Sequence, residues 1–334
     1  MTLVRPPLVS LLLATAVATG LTLALARSPG EGSASRNFAG ADLRDADLAR
    51  ANLERAVFTG ANLAGADLTG ANLKGADLRE AYLREVKGSG ADFAGALLGG
   101  ADLTRATLIG ANFEGADLSR AQLPQARLEN AKMKGTFLPG ASLKKANLSG
   151  ANLHGAVLTG TDLTQAVLRE SNLQEAELGA VGIGHPGPAP ARLGGADLRR
   201  ADLDRANLVS VPMREARLDG ARLTRARLGH ADLSWSSATG ADFSHAEMGW
   251  SRAYAADLRN SRFNGADLTL AQLEGADLAG ADLTGATLQG TNLNQARMKG
   301  AVLTGAMLRD VLANAVKDAP PPLRQDTRQG KKPQ

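Results

Sequence analysis

Few residues in this chain are able to do covalent chemistry. Cysteine is absent, which excludes thiolate nucleophiles, thiolate metal sites, disulfides and a cysteine-borne lipid anchor. It is compatible with either redox compartment. The histidines are His154, His185, His230 and His245, and none has a second ligand at zinc-site spacing. Aspartates recur between an alanine and a leucine, which marks a repeat position on a solvated edge rather than an acid–base pair. No phosphate-binding glycine loop, Gly-x-Ser-x-Gly or His-Glu-x-x-His occurs. The reading is no catalytic residue, no cofactor, no metal, no small-molecule substrate and no enzyme.

Two groupings remain that suit binding. Nine arginines run from Arg192 to Arg227 in a chain of net charge +4, which raises the question of a polyanion. Aromatic residues are only 3% of the chain, with two Trp and two Tyr, yet Trp235, Trp250 and Tyr254 fall within twenty residues. Clustered exposed aromatics mark contact surfaces.

A five-residue word positions all of these groups. It reads Ala-(Asp/Asn)-Leu-x-Gly, as in Ala61-Asn62-Leu63-Ala64-Gly65 and Ala66-Asp67-Leu68-Thr69-Gly70. Stepping by five from Leu43 to Leu308 visits 54 centres, and fifty are Leu, Phe, Met or Ile. The exceptions are Gly88, Pro188, Ala238 and Ala253. A helix would smear a period of five around all its sides, and a plain strand would throw successive Leu to opposite faces. The Ala two residues before each Leu shares its inward direction. A turn ending in Gly then bends the chain. Four bends close a square coil of about twenty residues, so these repeats make roughly thirteen coils stacked at strand spacing. One coil buries too little to offset its own ordering, so stability is cooperative along the stack and the ends need caps.

These words resemble the pentapeptide-repeat family, whose motif is A(D/N)LXX, over residues 38–308. The resemblance implies an all-β fold, a right-handed quadrilateral β-helix. It fixes a fold and no activity. Some members of the family mimic duplex DNA and bind type II topoisomerases, a role that needs an acidic face and a cytoplasmic address. The net charge and the N-terminus argue against it here.

Folding the sequence on a twenty-residue coil places Asp202, Arg222, Asp242, Arg262 and Asp282 in one outward column. Charges alternate along it, so much of the arginine cluster is compensated internally and no nucleic acid is expected as a partner. The same folding puts His230, Trp250 and Leu270 in one outward column. With Trp235 and Tyr254 they form the candidate surface for a protein partner. The competing reading is that the aromatics fold over the defects at Ala238 and Ala253 and fill them.

Residues 8–26 are uncharged and largely apolar, follow Arg5 and end in Ala24-Leu25-Ala26. Residues 1–26 read as a secretory signal peptide cleaved after Ala26, or as a membrane anchor if uncleaved. The rest divides into a disordered linker at 27–37, coils at 38–183, a Pro/Gly-rich loop at 184–192, coils at 193–308, a short capping helix at 309–318 and a disordered basic tail at 319–334. An open rod end allows a homodimer. The expected role is an exported, non-enzymatic scaffold in the cell envelope, periplasmic, secreted or equivalent. It would bind a protein, or a membrane only through an uncleaved N-terminal segment.

Overall fold

The computed structural model describes residues 36–180 and 189–326. The signal segment, most of the 27–37 linker, the proline-rich centre of the loop and residues 327–334 of the tail lie outside the described residues. The chain divides into two units, Met1–Val157 and Leu158–Gln334. Each is a right-handed quadrilateral β-helix built from parallel bridges between residues one coil apart, such as Asn62 with Tyr82 and Asp242 with Arg262.

The hydrogen-bond accounting explains the word. Take Leu63 as a centre. Its N–H bonds the Tyr82 carbonyl on the next coil (2.7 Å), and the Asn62 N–H bonds the Ala41 carbonyl on the previous one (2.9 Å). The Gly65 N–H reaches Arg84 (2.9 Å), and the Ala66 N–H closes the turn onto Leu63 (3.0 Å). Only the N–H of the residue after the centre lacks a backbone partner. The Asn62 side chain takes it, Oδ1 accepting from the Ala64 N–H at 3.2 Å. The same bond recurs at Asp67, Asp92, Asn147 and Asp282. Asp and Asn thus occupy this position because a short acceptor satisfies the one remaining donor.

The last residue of each word has a positive φ while the residue before it does not, the pattern of a type II turn. Gly65 has φ 72°, but Trp250 at 61° and Arg120 at 59° adopt the same conformation. Inside, the Ala and Leu columns are fully buried, as at Ala146 and Leu148. Where a centre is missing, neighbours move in. A methyl on Gly88 would lie 2.9 Å from Leu108 and 3.9 Å from Phe93. Phe93 in turn stacks on Phe113 at 4.8 Å.

The coils on either side of the loop pair across a longer step within the second unit. Asp162 pairs with Arg192, Val167 with Asp197, Asn172 with Asp202 and Glu177 with Asn207, a spacing of thirty rather than twenty. The Ala191 N–H bonds the Leu178 carbonyl at 2.7 Å. This is the ordinary corner bond with residues 179–190 in place of the usual two. The five-residue phase survives because two whole words leave the ladder. Gly179 is required here: a side chain would meet the Val209 amide at 2.4 Å.

The ends correct two boundaries. Asn37 already pairs with Val57, so the ladder starts inside the expected linker. No helix forms at 309–318. Met307, Leu312 and Lys317 pair with Thr287, Asn292 and Arg297, and Asp310 and Ala315 take corner φ values of 55° and 54°. Val311, Leu312, Ala315 and Val316 suit a helical face, but Val311 and Ala313 also occupy the two inward positions of one more word. The stacked ladder below them decides the conformation. The helix is α1, Pro321–Asp326, in the segment expected to be disordered. Leu323 within it is 1% exposed, whereas Ala313 and Val316 of the last coil remain only half-buried. Six residues have no interior of their own, so Leu323 is covered by other parts of the chain.

Leu148 is fully buried and Lys134 is exposed. Leu148→Arg is therefore expected to cost several kcal/mol for an unpaired buried charge, and Lys134→Ala no more than about 0.5 kcal/mol. Thermal unfolding of both variants checks this, and similar melting temperatures would refute the inward assignment.

Candidate functional site

The arginines pair mainly with carboxylates of this chain. Four words read Ala-Asp-Leu-Arg, and in each the guanidinium grips both oxygens of the Asp two residues before it. Arg79 holds Asp77 at 2.9 and 2.6 Å, and Arg259 holds Asp257 at 2.8 and 2.6 Å. Arg44 on Asp42 and Arg199 on Asp197 repeat the geometry. The expected alternating column is present, with Arg222 on Asp202 at 2.8 Å and Arg262 near Asp242 at 3.5 Å. Exposed pairs of this kind add little each.

Several arginines of the dense segment brace the coils on either side of the loop. Arg192 pairs with Asp162 (3.4 Å), Arg200 with Glu170 (3.6 Å) and Arg205 with Glu175 (3.6 Å). Gln174 donates to Asp202, and Asn207 to Glu177. Asp197 is the centre of this lacing. It is buried and accepts from Arg169 at 2.7 Å and Arg199 at 2.8 Å, with Arg217 at 3.8 Å. Burial alone would raise its pKa, but the hydrogen bonds from Arg199 and Arg169 outweigh it and hold the carboxyl at about 2.

The aromatic residues occupy two successive corners of the second unit. On one, His230, Trp250 and Leu270 lie on consecutive coils, with φ of 58°, 61° and 58°. The His230 and Trp250 rings stack with centroids 6.0 Å apart and planes 5° apart. Leu270 lies against the same corner of the next coil, its Cδ2 2.7 Å from where a Gly290 side chain would begin. On the other corner, Arg214 covers the Trp235 ring at 4.5 Å from its centroid and pairs with Asp232 at 3.2 Å. The Trp235 N–H bonds the Tyr254 carbonyl at 2.8 Å. The tryptophans do not fill the core defects: Trp235 is 53% and Trp250 56% exposed, while Ala238 and Ala253 are buried beneath. Tyr254 is half-buried beside Ala253. Near these defects, Ser234, Ser236 and Ser251 have buried hydroxyls with no hydrogen-bond partner among the described residues. Ser171 and Ser261, in the same inward position as Ser236 and Ser251, instead bond the carbonyl three residues back.

Among the described residues no group of three or more His, Asp or Glu could hold a metal ion. No helix among them is long and apolar enough to cross a membrane. Sequence folding on the coil identified the His230–Trp250–Leu270 column. It missed Arg214, whose place over Trp235 follows from the same twenty-residue step, since 214, 234 and 254 share a column.

The sequence profile described as Pentapeptide repeats matches residues 37–180, 191–252 and 254–311 in overlapping segments. The chain belongs to the pentapeptide repeat family. Among solved structures it is similar to HetL, a pentapeptide repeat protein involved in heterocyst differentiation regulation from the cyanobacterium Nostoc sp. strain PCC 7120. That match has 34% identity and a TM-score of 0.29, and covers 75% of this chain and 88% of HetL. It is also similar to QnrB1, a plasmid-mediated fluoroquinolone resistance protein, at 17% identity and TM-score 0.37, covering 56% of this chain and 87% of that one. A third is a pentapeptide repeat protein from the Arabidopsis thaliana thylakoid lumen, at 36% identity and TM-score 0.26, covering 27% of this chain and 64% of that one. No curated protein matches.

The lowered pKa of Asp197 makes its pairing a source of stability that is complete above the ordinary carboxylate pKa near 4. That stability is lost as pH falls from about 4 to about 2. Asp197→Asn is expected to lower the melting temperature at pH 7 and to flatten its fall over this window. Calorimetry from pH 7 to 2.5 checks it. An unchanged acid slope would show that Asp197 is not a stabilising carboxylate.

Proposed function

We propose that this pentapeptide repeat protein is an exported, non-enzymatic scaffold of the cell envelope, and that it holds a protein partner through the corners bearing Trp250, His230, Leu270, Trp235 and Tyr254. The observation that carries the reading is the exposure of both indoles on a rigid coil. Each is more than half exposed, and each is pre-set by a ring or guanidinium neighbour. Large aromatics that are already ordered bury apolar area at small entropic cost, and Trp, Tyr and Arg dominate interface hot spots. Export is supported by the apolar run 8–26 with its Ala-Leu-Ala ending. A duplex-DNA mimic gains no support from the Asp202–Arg222–Asp242–Arg262–Asp282 column, where arginines interrupt the acidic row.

Trp250→Ala is expected to change thermal stability by no more than about 1 kcal/mol, since the side chain is exposed, and to reduce capture of the partner from the envelope fraction. A destabilised variant with undiminished capture would end the contact-surface reading. Export predicts a mature chain beginning at Arg27. Intact-mass analysis of the protein from that fraction checks this, and a mass that includes Met1 would favour the anchor.

A further inference from the structure

Arg252 stands apart from the other ladder arginines of the second unit. Arg192, Arg217, Arg222, Arg227, Arg262 and Arg297 each have a carboxylate within 4 Å. Arg252 is exposed and has no ion pair or side-chain hydrogen bond among the described residues. Its column neighbours explain why. Asp232, directly before it in the ladder, is taken by Arg214, and Gln272, directly after it, donates to the Leu270 carbonyl. Glu274, on the coil above Tyr254, is within hydrogen-bond reach of Asn292. The guanidinium therefore sits uncompensated on the short face that runs from the Trp250 corner to the Tyr254 corner.

That position combines three chemical demands. Arg252 offers a planar, always-charged fork suited to a carboxylate. Trp250 is two residues before it and Tyr254 two residues after, so the charge is flanked by aromatic surface on both sides. Trp235 adds a second exposed indole on the corner of the preceding coil. A purely polyanionic ligand would use the charge and leave the indoles wet. A purely apolar ligand would bury the guanidinium without a counter-ion, which is costly. The arrangement is matched by a peptide that places an aspartate or glutamate beside an aromatic or large aliphatic residue.

We propose that Arg252 is the specificity-determining residue of the aromatic surface, and that the segment bound there is acidic, with an apolar side chain next to its carboxylate. This rests on the reading of the corners as a partner surface, and it names the partner's chemistry. The two tryptophans of the chain are both in this surface, so intrinsic tryptophan emission reports occupancy of the site alone.

A phage-displayed random dodecapeptide library selected on the protein tests the proposal. Enriched sequences are expected to hold Asp or Glu within about two residues of an aromatic or Leu. The synthetic peptides should quench or shift tryptophan emission saturably. Replacing the acid by its amide in the peptide, or Arg252→Gln in the protein, is expected to weaken binding by roughly tenfold or more, with the melting temperature unchanged. Trp250→Ala should also weaken it. Enriched peptides without acids, or peptides that bind Arg252→Gln as tightly as the parent, would overturn the acidic assignment and leave the aromatic surface standing. Peptides insensitive to Trp250→Ala, or no enrichment at all, would overturn both. Equally tight, Arg252-dependent binding of heparin with no need for an apolar residue would mark a bare charge site and also overturn the proposal.

Discussion

Everything in each unit depends on backbone pairing between coils one turn apart. A coil of twenty residues has too narrow an interior for two large side chains per side, and within the coil it has no partner for three of the five backbone N–H groups of each word. Both problems are solved only by another coil directly above. The parallel ladder takes the N–H of the Asp/Asn position, the centre and the corner residue. The turn takes the N–H of the Ala, and the Asp/Asn side chain takes the last one. The backbone donors of each word are thereby satisfied, and the polar side chains inside are isolated hydroxyls such as Ser171, Ser236 and Ser251. An Ala beside a Leu fills the remaining space, as at Ala146 and Leu148. Chemistry is therefore confined to the outward positions, the corners and the ends.

Because the ladder is so complete, a local loss is repaired by neighbours rather than by a change of course. Gly88 lacks a side chain, and Leu108 with Phe93 crowds toward the space. Ala238 is likewise followed by a Phe centre, Phe243, which stacks on Phe263 at 5.0 Å. These two missing centres thus precede an aromatic ring paired one coil on, whereas Ala253 is followed by Leu258. Even a twelve-residue corner between Leu178 and Ala191 leaves the stack in phase, because it displaces whole words and its two ends meet in the usual corner bond. The lacing around it, with Asp197 under three guanidinium groups, holds the coils together where the chain departs from them.

The period of five makes the coil, the inward Ala and Leu, and the outward charge column readable in the sequence. The His230–Trp250–Leu270 column followed from the same count, since a fixed step turns a one-dimensional sequence into stacked neighbours. What escaped was information that the step does not carry. The word at Val311–Ala313 is degenerate, and its apolar residues suit a helix equally well; the paired coil below it is what excludes one. The helix at Pro321–Asp326 arises beyond the repeat, where the step of twenty no longer applies. Arg252 escaped for another reason. Its column places Asp232 next to it, which reads as a compensated pair. Only side-chain geometry shows that Arg214, at the corner of the coil before Asp232, pairs with that carboxylate.

The competition for Asp232 links the two halves of the aromatic surface. Arg214 can serve Trp235 and Asp232 together because it follows Met213 at the same corner, one coil before the indole. In doing so it packs on the Trp235 ring and pairs with the carboxylate that precedes Arg252 in the ladder. On a flexible loop such an arrangement would relax, with Arg252 folding back onto the nearest acid. On a β-helix corner the backbone is held by bonds to the coils before and after, and the side chains begin from fixed points about one strand spacing apart. The backbone ordering cost of presenting Trp250, Tyr254 and Arg252 together is met when the coil folds. A binding surface can therefore be built on this scaffold with few residues, at the corners, where the narrow interior sets no limit on side-chain size.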